Sequence, residues 1–198
     1  MKTNWQTKTL GEVCEIVNGG TPKTNVASYW DGNIQWITPK DMGKLRSTFV
    51  AETERQITEA GLKNSSAKIL PPKSIILSTR APIGHLAINQ VPMATNQGCK
   101  GLIPNSALDV NYLFNFLWIS KDLLNELGSG TTFKELSGTR LKGVPIPLPP
   151  SPEQRRIVAK LDALSSETKQ LASLYKSKLL ALEELKKSVL RQAFSGKI

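Results

Sequence analysis

The chain has 198 residues, of which 39% are hydrophobic and 21% charged, the size of one ordinary domain with an appended element. Its 26 lysines and arginines against 16 acidic residues give a net charge of +10, which favours a polyanionic partner, with nucleic acid ahead of an anionic membrane surface. The apolar runs are too short to span a bilayer and the first residues resemble no signal peptide, so a cytoplasmic protein without membrane contact is expected.

Residues 1–150 alternate short β-rich runs with Gly, Pro and Asn turns, a pattern typical of an α+β domain that mixes short strands and helices. Strands are predicted at residues 34–38, 74–79, 85–89, 98–103 and 144–148. A short helix is predicted at residues 58–64, and a longer amphipathic helix at residues 110–127, ended by Gly128.

Residues 151–198 form a region of different composition. All 12 prolines lie at or before Pro152, and residues 153–195 contain neither glycine nor proline. The prolines at 149, 150 and 152 predict a stiff, extended junction. Ser151 occupies a predicted N-cap position and Gln154 follows three residues later, which is the spacing of a capping box. A long helix is therefore predicted to begin at Ser151.

The apolar residues of this long helix recur every 3.5 residues on average, over about five heptads, which indicates a coiled-coil seam. Because the sequence offers no second long helix to cover it, we expect an intermolecular partner, and a homodimer first. The predicted interface residues are Ile157, Leu161, Leu164, Leu171, Tyr175, Leu182, Leu185 and Val189.

No sequence motif for catalysis or metal binding stands out. The chain lacks GxxxxGK[ST], GxGxxG, GxSxG and HExxH motifs, while Cys14, Cys99 and the single histidine, His85, form neither a disulfide framework nor a zinc motif. Nuclease-like Glu-x-Lys pairs occur only in the predicted rod, which offers no pocket for a metal ion. We expect no catalytic residue, no metal and no cofactor on this chain.

Several short sequence motifs resemble those of one protein family and occur in the same order along the chain. They are LGEVCEI (10–16), GGTP (19–22), WITPKDM (36–42), STRAPIG (78–84), NQG (96–98), GTT (130–132), IPLPPSPEQ (146–154) and QAFSG (192–196). Together they resemble the DNA specificity subunit of type I restriction-modification systems, over essentially the whole chain.

The resemblance implies a division of labour among subunits. In that family a full subunit carries two target-recognition domains, each followed by a long helix, and the two helices lie antiparallel as a spacer. This chain resembles one half, with a recognition domain at residues 1–150 and a dimerisation helix at residues 151–198. The implied partners are double-stranded DNA, a modification subunit and, through the complex, a restriction subunit. S-adenosylmethionine and ATP would bind those partner subunits only.

The candidate DNA-binding residues combine basic groups for phosphates with amides, hydroxyls and guanidinium groups for base edges. They are Thr21, Lys23, Thr24, Asn25, Lys40, Arg46, Arg80, Asn96, Gln97, Lys100, Thr131, Thr132 and Lys134. The Gly19-Gly20 pair before them suggests a flexible loop. Structural alternatives stay open: Arg80 in a salt bridge, Asn96 and Gln97 in a polar turn, and Tyr29 and Trp30 in the core.

Two other function classes remain. The first is a basic adaptor protein that dimerises through its C-terminal helix and does not read DNA, which a lack of DNA retention at about 0.1 M salt would favour. The second is a nuclease-related enzyme, which metal-dependent cleavage by the purified chain would reveal.

Overall fold

The computed structural model describes residues 5–80, 82–130 and 134–197, and contacts group the chain into two units, residues 1–155 and 156–198. The strands of the first unit are β1 (Gln6–Thr9), β2 (Cys14–Asn18), β3 (Trp30–Ile37), β4 (Phe49–Val50), β5 (Arg55–Ile57), β6 (Ile75–Thr79), β7 (Ile83–Asn89), β8 (Met93–Thr95), β9 (Cys99–Pro104) and β10 (Pro145–Leu148). Its helices are α1 (Leu10–Val13), α2 (Pro39–Lys44), α3 (Glu59–Lys63), α4 (Val110–Ile119), α5 (Lys121–Glu126) and α6 (Gly138–Lys142). The long helix α7 (Ser151–Phe194) begins in the first unit and continues through the second. The α+β class and the long C-terminal helix are confirmed.

The main sheet of the first unit has the strand order β2-β9-β6-β7-β4. Its central strand β6 is wholly buried, and Ile75, Ile76 and Leu77 have no exposed surface. A continuous run of β-branched and leucine side chains is what a strand buried on both faces needs. Strands β7 and β9 both pair with β6 in antiparallel orientation, so the chain segments around Arg80 and Gln97 meet at the same edge of the sheet.

A smaller sheet, of order β5-β3-β8, carries a separate aromatic core. Trp30 and Trp36 are buried in it and meet edge to face with their ring centroids 5.2 Å apart. The guanidinium of Arg55 lies 3.5 Å from the Trp30 ring centroid, in cation–π geometry. The structure therefore supports the core alternative for Trp30, and the half-buried Tyr29 packs against the same cluster.

The prediction of one helix at residues 110–127 is wrong, because two helices, α4 and α5, occupy this segment. Ser120 separates them with φ −87° and ψ 9°, outside the helical region. Serine is a weak helix former, and the break at Ser120 leaves two short helices that both contact β7. Amphipathic periodicity alone does not register such a break.

Gly19 and Gly20 are buried and held by hydrogen bonds, which corrects the expectation of a flexible loop. The Gly19 N–H donates to the Cys99 carbonyl at 3.3 Å, and the Gly20 N–H donates to the Thr95 carbonyl at 2.8 Å. A Cβ atom on Gly19 would lie 1.9 Å from the backbone oxygen of Asn96. These glycines allow a close approach of two backbones, and they fix the position of the loop that follows.

The Gln154 side chain does not form the predicted capping box. Its side chain is fully buried and binds three backbone groups: its Oε1 accepts from the Asp109 N–H at 2.8 Å, while its Nε2 donates to the carbonyls of Ala107 (2.8 Å) and Pro149 (2.9 Å). The Pro150 carbonyl accepts the first helical hydrogen bonds of α7. Gln154 thus ties the first turn of α7 to the loop that precedes α4.

Replacement of Gln154 by leucine should destabilise the first unit. The change removes the partners of three backbone groups, and each unsatisfied buried group costs about 1–3 kcal/mol, so a loss of about 2 kcal/mol or more is expected. Urea unfolding measures it. The matched control is Gln170→Leu on the exposed surface of α7, which should change the free energy of unfolding by less than about 0.5 kcal/mol. Equal effects of the two variants would contradict this role of Gln154.

Candidate nucleic-acid interface

A cleft with a volume of about 490 Å³ lies at the edge of the main sheet where β2 and β6 end and β9 begins. Antiparallel pairing of β9 with both neighbours produces this arrangement: Asn18 is opposite Lys100, and Ser78 is opposite Cys99. The residues that line the cleft are Ile16, Asn18, Gly19, Arg80, Gln97, Lys100, Glu135, Ser137, Gly138, Thr139 and Lys142. Three cations, one carboxylate and several amide or hydroxyl groups therefore face one space.

Lys100 is the most unusual residue of this cleft, because it is only 7% exposed. Its ammonium donates to Asn18 Oδ1 at 2.9 Å, a neutral partner. Among the described residues, no carboxylate forms an ion pair with it. Burial lowers the pKa of the Lys100 ammonium below its ordinary value; nearby Glu135 raises it, and Arg80 lowers it. The side chain is a largely desolvated positive charge that forms no direct ion pair among the described residues, which favours the binding of an anion.

Arg80 follows β6 and lies in the cleft beside Glu135. Its Nη1 atom is 3.6 Å from Glu135 Oε2, and both side chains are partly exposed. The backbones of the two residues also form an antiparallel bridge. The salt-bridge alternative for Arg80 is therefore present in the structure, and it coexists with a position in the cleft.

In the polar turn before β9, Asn96 stabilises the turn and Gln97 is exposed. Asn96 Oδ1 accepts from the Gly98 N–H at 2.9 Å, so Asn96 supports the turn. Gln97 is exposed, lines the cleft and hydrogen-bonds Thr21. The turn alternative describes Asn96, whereas the amide nitrogen of Gln97 donates no hydrogen bond to another of the described residues.

Three of the predicted residues line the cleft, namely Arg80, Gln97 and Lys100. The Thr21 hydroxyl donates a hydrogen bond to the side chain of Gln97. The other described candidates lie elsewhere. The loop after Gly20 exposes Lys23, Thr24 and Asn25, and α2 carries Lys40. Arg46 lines a different concavity beside Trp118, and Lys134 is exposed next to Glu135. Thr131 and Thr132 lie outside the described residues. The contribution of each of these residues to DNA binding stays a prediction.

Sequence reasoning missed five polar residues of the cleft, namely Asn18, Glu135, Ser137, Thr139 and Lys142. Asn18 directly precedes the Gly19-Gly20 pair, and Ser137 and Thr139 flank a glycine, so small polar residues around glycines were an available signal. No local pattern identifies Glu135 or Lys142. They reach the cleft through long-range pairing and through the position of α6 beside β2.

Two negative findings apply to the described residues 5–80, 82–130 and 134–197. No group of three or more His, Cys, Asp or Glu side chains there is arranged to hold a metal ion. No helix in the same ranges combines the length and apolar character that a bilayer crossing requires.

Comparison with known proteins identifies the family. Residues 2–179 match the family model described as the type I restriction modification DNA specificity domain. The chain belongs to this family. It is 38% identical to the type I restriction enzyme MjaIX specificity subunit of Methanocaldococcus jannaschii, covering 92% of this chain and 43% of that protein. It is 34% identical to the EcoR124I/EcoR124II specificity subunit of Escherichia coli, covering 83% of this chain and 42% of that protein.

A solved structure of the same family shares the fold. The HsdS subunit from Thermoanaerobacter tengcongensis superimposes with a TM-score of 0.67 at 28% identity, covering 86% of this chain and 40% of that chain. This type I specificity chain therefore spans somewhat less than half the length of the relatives that it matches. The resemblance read from the sequence motifs is confirmed.

Replacement of Lys100 by methionine should leave the free protein as stable as the wild type or more stable. Methionine keeps the length of the side chain and removes a buried charge that is only partly compensated, so the free energy of unfolding should rise by up to about 1 kcal/mol. Urea unfolding at neutral pH measures it, with the exposed Lys68→Met as control. A loss of about 2 kcal/mol in the Lys100 variant alone would show that its bond to Asn18 outweighs the cost of burial.

Proposed function

We propose that this chain is a non-catalytic specificity module that reads one half-site of a bipartite duplex DNA target. The observation that carries the proposal is the buried Lys100 ammonium, which hydrogen-bonds a neutral amide, forms no direct ion pair among the described residues and shares a cleft with Arg80 and Lys142. A DNA phosphate brings a negative charge next to this ammonium, and its binding recovers part of the cost of burying Lys100. Membership of the specificity family supports the same conclusion.

The polar groups of the cleft suit base recognition as well as phosphate binding. Gln97 offers an amide, Ser137 and Thr139 offer hydroxyls, and Arg80 offers a planar guanidinium. These are the groups that read base edges in the major groove, whereas a site for a simple anion needs only positive charge. We assign phosphate contact to Lys100 and Lys142 and base contact to Arg80 and Gln97.

The chemistry of the system belongs, in this proposal, to partner subunits. A modification subunit with S-adenosylmethionine methylates adenine, and a restriction subunit uses ATP to cleave unmodified DNA. The chain itself contributes no cofactor site and acts in the cytoplasm, where the cell's DNA is accessible. Its role is to bring the modification subunit to the correct sequence.

The long helix supports a proposal of dimerisation. Leu161, Leu164 and Leu171 are 41–53% exposed, and Leu182 and Leu185 are 61% and 59% exposed. A row of exposed leucines at heptad spacing is stabilised when a second helix covers it. We infer that α7 pairs antiparallel with a second helix of the same kind, and that a second copy of this chain supplies it, because its own leucine row is complementary to an identical row.

Duplex DNA binding should depend strongly on salt and on the cleft cations. Each phosphate contact that is lost should reduce the slope of log K against log salt by about 0.9. Lys100→Met should lower this slope and weaken binding to all sequences alike, while Arg80→Ala should weaken binding by about 1–3 kcal/mol and relax one base preference. Fluorescence anisotropy at several salt concentrations measures both.

The control for this experiment is Lys68→Met, which makes the same charge change outside the cleft. A wild-type chain that does not retain duplex DNA at about 0.1 M salt would overturn the proposal and favour the adaptor alternative. Equal effects of the Lys68 and Lys100 variants would show that the net charge, rather than the cleft, binds DNA.

Disruption of the leucine row should yield monomers. Aspartate at Leu164, Leu171 and Leu182 would bury unpaired charge in the helix pair, so the triple variant should sediment as a monomer at tens of micromolar, where the wild type sediments as a dimer. The triple substitution of exposed polar residues Ser165, Ser173 and Lys187 by aspartate is the control. A monomeric wild type would contradict the homodimer.

The length of the helix should set the spacing of the two half-sites. Deletion of the heptad 171–177 preserves the register and shortens the rod by about 10.5 Å, at about 1.5 Å per residue, which corresponds to about three base pairs. Duplexes selected from a random pool by the variant should keep their half-site sequences, while their spacer changes by about three and affinity falls because the half-sites also rotate. An unaltered spacer would show that the rod does not set the distance.

A further inference from the structure

Glu135 is the one carboxylate among the described residues that line the cationic cleft. Its backbone is fixed on both sides: its N–H donates to the Ser129 carbonyl at 2.9 Å, its carbonyl accepts from the Ser129 N–H at 3.1 Å, and the next residue, Leu136, donates to the Thr79 carbonyl at 2.9 Å. The side chain itself is 45% exposed. The backbone that carries this carboxylate is therefore held by hydrogen bonds to two other segments of the chain.

A carboxylate at this position works against unspecific DNA binding. It repels phosphates, and it is close to Arg80, one of the three cations that line the cleft. The ion pair adds little to stability, because the nearest charged atoms are 3.6 Å apart and both side chains are partly exposed. A surface that only binds the phosphate backbone gains nothing from Glu135, whereas a surface that selects among sequences does.

We propose that Glu135 is a specificity-determining residue that, together with Arg80, reads one guanine–cytosine pair. The guanidinium of Arg80 donates to guanine O6 and N7, and the carboxylate of Glu135 accepts from the cytosine N4 amino group. These groups lie side by side in the major groove, and the two side chains lie side by side in the cleft. At any other base pair at least one of the two charges loses its hydrogen bonds and stays near the DNA uncompensated, which disfavours binding.

This inference rests on the proposed DNA-binding function, and selection from a random duplex pool tests both. The wild-type chain should select a motif with one position fixed as guanine–cytosine. Glu135→Gln should relax that position, bind random-sequence DNA more tightly, and lower the ratio of specific to random affinity about tenfold or more. Glu54→Gln is the matched control, because Glu54 is also a partly exposed carboxylate in an ion pair, with Lys44, but lies outside the cleft.

The outcomes separate the two claims. A wild-type chain that binds no duplex overturns the proposed function and this inference with it. A wild-type chain that selects a motif while Glu135→Gln keeps the same motif and the same affinity ratio overturns the inference alone. A lowered melting temperature of Glu135→Gln with an unchanged motif assigns the Arg80–Glu135 pair a structural role and overturns the inference as well.

Discussion

The antiparallel pairing of β9 with both β2 and β6 is the constraint on which the first unit depends. It places the buried residues Ile76 and Leu102 in the centre of the main sheet and brings Asn18, Arg80 and Lys100 together at one edge. The same register that buries the apolar residues also desolvates the Lys100 ammonium. The stability of the sheet thus holds the Lys100 ammonium largely away from water, where an anionic ligand would interact with it more strongly than in bulk solvent.

Much of the scaffold is predictable from the sequence. The apolar runs between Asn, Gly and Pro turns predict strands at residues 74–79, 85–89 and 98–103, the breaker-free segment after Pro152 predicts the long helix, and the structure contains all four elements. The local signals fail at Ser120 and at Gln154. At both positions a tertiary contact decides the outcome: two helices reach β7 across the break, and a side chain expected to cap a helix binds a distant loop instead.

The candidate site is less predictable, because it is assembled from segments far apart in the chain. The sequence predicts Arg80, Gln97 and Lys100 as candidates, since each side chain is of a type that reads bases or binds phosphates and each lies in or next to a distinctive sequence motif. Glu135 was not, because an acidic residue in a basic protein is expected on a solvated surface and only the bridge to Arg80 places it in the cleft. Gly19 and Gly20 gave a wrong prediction of a flexible loop, since glycine also occurs where two backbones pack closely together.

The central claim is that DNA occupies the cleft beside Lys100, and disulfide trapping tests it most directly. Cys14 and Cys99 are buried, so a single exposed cysteine can be introduced with low background. A duplex selected by the wild-type chain and carrying thiol tethers on its phosphates should couple efficiently to Thr139→Cys in the cleft and poorly to Ser106→Cys, which is exposed outside it. Equal coupling at both positions, or preferential coupling at Ser106→Cys, would contradict the account.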